Sequence, residues 1–306
     1  MNLTEKKLIK RIIFSDVDGT IYTYPDKQIS KFTKQDILNA INNEDIEFVL
    51  NTGNPLLPKL NKLADEIGVR YIICANGASI YDNFNHEVIY EASFNSLDVK
   101  KTYDLIAEFN ENGCFFGKNG YHLLSDNQQT INFLSDFFEF SNWEDKSNKP
   151  HEEIHKIEIY PKNSETKNLI VHRLNDMEIE ADIAVMTHHI ELTPRNINKG
   201  TAALWLCNKL NIDSNYAMSI GDSGNDIPML ELIGYSYAMD NAPQYVKNVA
   251  KFYTSDVLQN GLGEAIRDYI HRTRLPLLQQ EKQFEVIKKQ QKAKRDAYYR
   301  EKAKQK

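Results

Sequence analysis

Five short apolar runs, each cut off by a turn or acidic residue, recur along this 306-residue chain. They are "IIFS" at 12–15 before Asp16, "IEFVLN" at 46–51 before Thr52, "YIICAN" at 71–76 before Gly77, "YAMSIG" at 216–221 before Asp222, and "YSYAM" at 235–239 before Asp240. Runs of this length, largely apolar and bounded by turn residues, are expected as strands buried on both faces of a parallel sheet. Between them lie segments of helical period. "KQDILNAIN" begins after Thr33, an expected N-cap, and "LLPKLNKLADEIG" ends at Gly68, an expected C-cap. "KGTAALWLCNKLN" follows Asn198, and "IPMLELIG" follows Asp226. The alternation predicts βαβ units and a doubly wound α/β fold. Right-handed crossovers then bring the strand C-termini to one edge, where ligands bind.

The middle of the chain reads differently. "CFFGKNGYHLL", "HKIEIYP", "IEADIAVM" and "HHIELTP" mix polar and apolar positions, as in a sheet with one wet face. This predicts a second α/β unit inserted into the first, with a core at 1–80 plus 194–274, a cap at 81–193 and a polar tail at 275–306. The tail holds ten basic against four acidic residues, a net +6 on a chain of −6, so the remainder carries −12. It is expected as a solvated or frayed helix. An inert extension is the plainer reading; docking on a second copy or on RNA is the sharper one. Cys74, Cys114 and Cys207 are far apart and odd in number, which excludes a disulfide framework and a zinc-finger spacing. The N-terminal segment lacks a signal-peptide pattern and no apolar run approaches a membrane span, so a cytoplasmic protein with no membrane partner is expected.

Four segments fall just after strands or at helix starts: Asp16-Val17-Asp18-Gly19-Thr20, Asn51-Thr52-Gly53-Asn54, Lys199-Gly200, and Gly221-Asp222-Ser223-Gly224-Asn225-Asp226. In a parallel sheet they converge. Four carboxylates, one lysine and glycine-rich turns would then surround a single point. Hard oxygen ligands suit Mg²⁺, and Thr52 with the Gly53 amide suits a phosphate oxygen. Lys199 can neutralise a transferring phosphoryl group. One carboxylate can attack phosphorus while the second, two residues on, works as acid and then base.

These motifs, in this order, resemble the haloacid dehalogenase-like (HAD) phosphatases, and among them the Cof-type subfamily. Asn76-Gly77-Ala78 also resembles that subfamily's entry into its large α/β cap. The resemblance spans about 8–270 and implies Asp16 as nucleophile and Mg²⁺ ligand. It implies Asp18 as general acid/base with its carbonyl on the metal. Thr52 and Gly53 would hold the phosphoryl oxygens, and Lys199 would bridge phosphoryl and Asp16. Asp222 would ligate the metal directly, Asp226 would support the metal waters or Lys199 from behind, and Asn225 would touch metal water or phosphate. Asn54 stands where the family often carries arginine.

Weighed singly, His188 and His189 are expected to be structural or exposed, and Phe115 and Phe116 to be cap core. Lys156 is either structural or a cap lysine facing substrate, and Asn76 is a candidate to reach the substrate. The expected function is Mg²⁺-dependent hydrolysis of a small phosphorylated metabolite: a sugar phosphate, nucleotide or phosphorylated cofactor. A phosphotransferase or mutase would share the first half of that chemistry. A regulatory protein acting through the basic tail is the non-enzymatic alternative.

Overall fold

Residues 10–22 and 27–304 are described by a computed structural model, with side chains as far as residue 297. Strand β1 (Arg11–Ser15) lies inside an eight-stranded sheet. Its companions are β2 (Ile46–Asn51), β3 (Tyr71–Cys74), β4 (Ser79–Asp82) and β5 (Glu87–Glu91) on one side. On the other are β12 (Met218–Gly221), β13 (Tyr235–Ala238) and β14 (Phe252–Tyr253). The order is β14-β13-β12-β1-β2-β3-β4-β5; the first six strands are parallel, and β4 and β5 join antiparallel.

Every residue of β1 is buried because both faces are covered. Ile13 packs with Ile37 of α1 (Lys31–Glu44), Leu63 of α2 (Pro58–Ile67) and Ile266 of a C-terminal helix. Ile12 and Phe14 pack on the opposite face with Ala203 and Met229, from the two helices that follow the cap. Each such side chain contributes about 1.5–3 kcal/mol by leaving water. This two-sided covering is the expected doubly wound arrangement.

Helices α3 (Ser96–Glu108), α4 (Gln128–Phe137) and α5 (Ser164–Asp176) belong to the inserted region with a six-stranded sheet. Its strands are β6 (Asn112–Phe116), β7 (Gly120–Leu124), β8 (Glu144–Asp145), β9 (Lys156–Tyr160), β10 (Ala181–Val185) and β11 (Ile190–Pro194), in the order β10-β11-β9-β6-β7-β8. Phe115 and Phe116 are fully buried, as expected of cap core. The chain returns through α6 (Lys199–Leu210), α7 (Ile227–Leu232), α8 (Gln244–Lys247) and α9 (Gly261–Lys304).

Three local expectations change. Helix α1 starts at Lys31, not after Thr33: Ser30 is the extended cap residue and its Oγ accepts from Thr33 N at 3.0 Å. The β4–β5 hairpin pairs with β3, so residues 81–91 sit on the edge of the larger sheet rather than in the insertion. The reversal is made at Ala75, Asn76 and Gly77, all with positive φ. The supposed wet face of the cap sheet is not wet where it meets the core, since Lys156, Glu158 and Glu191 are all buried.

Helix α9 begins with a packed stretch, where Leu262, Ala265, Ile266, Tyr269 and Thr273 are buried. Beyond Pro276 its described side chains include no buried residue, and Leu278, Val286 and Ile287 are exposed. The tail is thus one continuous polar helix.

Candidate active site

Asp16 is carried out of β1 by a backbone hydrogen bond from its N–H to the Ile220 carbonyl of β12, 3.0 Å. Two chain segments two hundred residues apart are thereby locked side by side at the sheet's carboxyl edge. Asn198 caps α6, accepting from Gly200 N at 3.0 Å and Thr201 N at 2.9 Å, and Thr201 Oγ1 returns an acceptor to Asn198 N. The cap fixes Lys199 as the first helical residue and aims it inward. Asn51, at the end of β2, donates to the Lys199 carbonyl at 3.1 Å.

Lys199 is wholly buried, and its Nζ donates to Asp16 Oδ1 at 2.6 Å and to Asp226 Oδ1 at 2.7 Å. Asp226 Oδ2 accepts from Asp222 N at 3.0 Å and Ser223 N at 2.9 Å. Both Asp226 oxygens are therefore occupied by the protein. Asp16 Oδ2 and Asp222 Oδ1 are buried with no hydrogen-bond donor. A ligand oxygen from each of Asp16, Asp222 and Asp226 lies within 4.8 Å of the others.

Three carboxylates and one ammonium leave the cluster at −2. Burial pushes the Asp16 carboxyl well above its usual range, with the Asp226 and Asp222 charges adding to it and Lys199 opposing it. Burial and the charge of Asp226 push Asp222 up to about 7. Burial alone would lower the Lys199 ammonium, but Asp16 and Asp226 more than offset this and hold it charged. Two orphaned carboxylate oxygens in an over-negative, buried cluster are the donor set that a hard divalent cation takes. The residues present fit a metal: Asp16 and Asp222 each have an unpaired buried oxygen, while both Asp226 oxygens are already occupied by protein donors.

Glycine is required twice here. Gly19 has φ +93°, and a Cβ on it would lie 2.3 Å from Asp222 Oδ2. A Cβ on Gly221 would lie 2.3 Å from the Asp226 carboxyl carbon.

Asp18 stands outside the buried cluster, exposed, and its Oδ2 accepts from Asn54 Nδ2 at 2.8 Å. Asn54 is thus a tether for Asp18. Thr52 is buried, and its Oγ1 accepts from Asn54 N at 3.1 Å. Gly53 approaches Asn76 and Asn225 so closely that a Cβ would lie 2.9 Å from each side-chain amide. Asn225 Nδ2 donates to Asn76 Oδ1 at 3.0 Å, and Asn76 Nδ2 donates to Glu191.

Lys156 reaches the site from the cap. It is buried and donates to the Gly53 carbonyl at 2.7 Å and to Glu191 Oε1 at 2.8 Å. His189 Nε2 lies 3.1 Å from Glu191 Oε1 and His188 is exposed. Glu158, His189 and Glu191 are close enough to hold a metal, but Lys156 already lies among them as their counter-charge.

Two contributors went unnoticed in the sequence. Asn241, after β13, donates to the Gly19 carbonyl at 2.9 Å and to Asp222 Oδ2 at 3.2 Å. Its position at a strand end was the available signal. Glu191 gave none, because an alternating strand does not say what its polar face meets. A cavity of about 620 Å³ opens beside Asn76, Glu191 and Asn225, but neither Asp16 nor Asp18 lines it. The carboxylate chemistry lies to one side of it.

Comparison with known proteins agrees with the motifs. Residues 13–266 match the family described as haloacid dehalogenase-like hydrolase. The protein YxeH of Bacillus subtilis (strain 168) is 27% identical over 277 residues, covering 85% of this chain and 98% of that one. The 5-amino-6-(5-phospho-D-ribitylamino)uracil phosphatase YcsE of the same organism is 24% identical over 273 residues, covering 88% and 100%. Among solved structures, a HAD subclass IIB sugar phosphatase superposes with TM-score 0.74 at 21% identity, covering 85% of this chain and 99% of that one. A haloacid dehalogenase-like hydrolase from Bacteroides thetaiotaomicron gives 0.72 at 20% identity, with the same coverage. No described helix is long and apolar enough to cross a membrane. With its four motifs gathered at one sheet edge and most of its length matching the family, this chain belongs to the haloacid dehalogenase-like hydrolases, as an enzyme of the Cof-type branch.

Proposed function

We propose that this hydrolase is a Mg²⁺-dependent phosphatase that cleaves a small phosphomonoester through an aspartyl-phosphate on Asp16. The observation that carries the reading is the pair of donorless buried oxygens, Asp16 Oδ2 and Asp222 Oδ1, beside a lysine fixed between Asp16 and Asp226. Relatives named as phosphatases, YcsE among them, point the same way.

In this reading Thr52 and the Gly53 amide hold the phosphoryl oxygens. Lys199 favours the ionised form of Asp16, orients it, and balances charge as the carboxylate attacks phosphorus. Asp18, tethered by Asn54, protonates the leaving oxygen. It then takes a proton from the water that cleaves the acyl phosphate. Asp16 and Asp222 would hold the divalent ion, which when bound supplies the positive charge that lets two carboxylates and a phosphate dianion share one site. Asp226 orients Lys199 and the Asp222 backbone from behind. The core at 1–80 plus 194–274 is the catalytic unit, with the hairpin at 81–91 added to it, and the remaining insertion is the cap. Asn76 and Asn225, joined to each other, brace the phosphate loop between core and cap.

Colour release from p-nitrophenyl phosphate, with Mg²⁺ and with EDTA, tests this. Turnover that requires the metal is expected. Turnover indifferent to EDTA would overturn the metal-dependent reading, and no turnover on a broad phosphate-ester panel would overturn the phosphatase.

A further inference from the structure

At the mouth of the site a second group of like charges sits together, and here they are positive. Lys27 follows the first motif, and Lys59 lies in the first turn of α2, five residues after Asn54. The Nζ of Lys27 stands 4.3 Å and that of Lys59 4.6 Å from the centroid of the Phe137 ring, which the cap lowers onto them from the end of α4. Both lysines are half-buried, and among the described residues neither forms an ion pair. Lys27 holds its place at φ 45°, in the left-handed region that ordinary residues adopt only at a cost. Phe133, 58% exposed, stacks on Phe137 at 5.8 Å and extends the aromatic face outward.

Two adjacent ammoniums with no ion-pair partner among the described residues repel each other, as the Asp16 cluster does without a cation. Burial and the neighbouring Lys27 draw Lys59 down to about 8, and the charges of Asp18 and Glu139 pull it only partly back. Asp18 is therefore within electrostatic reach of the pair. On the proposed chemistry the leaving oxygen must lie next to Asp18, so the leaving group emerges on this side and not in the cavity beside Asn225.

We propose that Lys27 and Lys59, backed by Phe137, form an anion subsite that takes a second anionic group of the substrate, a carboxylate or a second phosphate carried by the leaving group. The inference rests on the phosphatase reading and narrows its substrates to phosphomonoesters with a further negative charge.

Matched esters test it. 3-Phosphoglycerate is compared with glycerol 3-phosphate, and fructose 1,6-bisphosphate with fructose 6-phosphate. Both kcat/KM in the intact chain and calorimetric Kd in the Asp16→Asn chain are measured, so binding is read even where turnover is slow. The doubly anionic member is expected to be favoured at least tenfold in at least one pair. That ratio should fall to near one in Lys27→Met/Lys59→Met and survive in Lys27→Arg/Lys59→Arg. A ratio near one in the unaltered chain for both pairs, or a preference that persists in the methionine variant, overturns the subsite. p-Nitrophenyl phosphate, which lacks the second anion, separates the two ideas. Metal-dependent release of nitrophenol with no preference between matched esters refutes the subsite alone. No turnover of any phosphate ester refutes the phosphatase reading, and the Kd ratios then still decide the anion site.

Discussion

Replacing Lys199 with methionine removes a fully buried ammonium while keeping much of its volume. Its two ion pairs, 2.6 Å to Asp16 and 2.7 Å to Asp226, are lost together, and both carboxylates stay in place, buried. Breaking a buried pair by deleting one partner costs about 3–5 kcal/mol, because the remaining charge is left uncompensated. At about 2–4 °C per kcal/mol for a unit of 150–250 residues, the core's melting point should fall by roughly 6–20 °C. The loss should depend on pH. In metal-free protein the Asp16 and Asp222 carboxyls already titrate above their unfolded values, Asp222 at about 7. The folded state therefore binds more protons than the unfolded one, and stability falls as pH rises through the interval between the ordinary carboxylate range and about 7. Without Lys199, which opposes the upward shift of Asp16, the interval widens and the slope steepens. Thermal unfolding by circular dichroism in EDTA, from pH 5 to 8, reads both effects. Adding Mg²⁺ should recover part of the loss, since a cation would then neutralise the same oxygens. A variant that melts within 2 °C of the parent at pH 8, or metal-free protein that gains stability between pH 5 and 8, would refute the electrostatic argument.

Other outcomes follow from the same contacts. Asp16→Asn should abolish turnover while leaving the melting point unchanged or higher, because it removes the nucleophile and one of three crowded charges; more than a small residual rate at saturating Mg²⁺ would count against a covalent step. Asp222→Ala should raise the metal concentration for half-maximal activity more than Asp226→Ala does. Asp226→Ala should instead cost more stability, since Asp226 holds Lys199 and two backbone amides; metal titrations and melting curves of the pair would expose a reversal. Asn241→Ala should weaken metal affinity several-fold by freeing Asp222 Oδ2 and the Gly19 carbonyl, read by Mg²⁺ titration calorimetry. A chain stopped after Arg274 should keep its fold and turnover, because no described side chain beyond Pro276 is fully buried. Sedimentation and RNA gel shifts of both lengths would show whether the +6 tail has a partner.

The parallel strands were readable because burial on both faces leaves no polar position to blur them. Asp16, Thr52 and Asp222 could be placed for the same reason, each standing where an apolar run stops. Lys199 could be placed because Asn198 is a strong N-cap. The 80/81 boundary cuts through β4, because pairing of the β4–β5 hairpin with β3 depends on a left-handed turn at 75–77 that side-chain pattern does not encode. Ser30 and Thr33 compete for one cap, and their mutual hydrogen bond shows how little separates them. The alternating strands that carry Lys156, Glu158 and Glu191 predict a sheet with one wet face, whereas these three side chains are buried. Alternation records that one side of a strand is polar, and it is silent on whether that side meets water or the polar surface of another unit.

The two like-charged clusters have opposite signs, and the charge of Asp18 reaches both, acting on Asp222 in one and on Lys59 in the other. The acidic one is deep, with a formal charge of −2; the basic one is half-buried and, among the described residues, forms no ion pair. Each is unfavourable alone, and each is relieved by what the other would exclude. A metal ion satisfies the first but would be repelled by the second, and a free anion satisfies the second but would be repelled by the first. On the proposed function, a phosphate ester on a divalent cation, carrying a further anion on its leaving group, would relieve both at once and leave Asp18 beside the bond to be broken. Phe137 of the cap lies over the lysines, and Lys156 of the cap donates to the Gly53 carbonyl of the core. On the proposed subsite, a second anion on the leaving group would fix the ester bond beside Asp18 in the transition state as well as in the bound state. The rate penalty for a singly charged ester should accordingly appear in kcat as well as in KM.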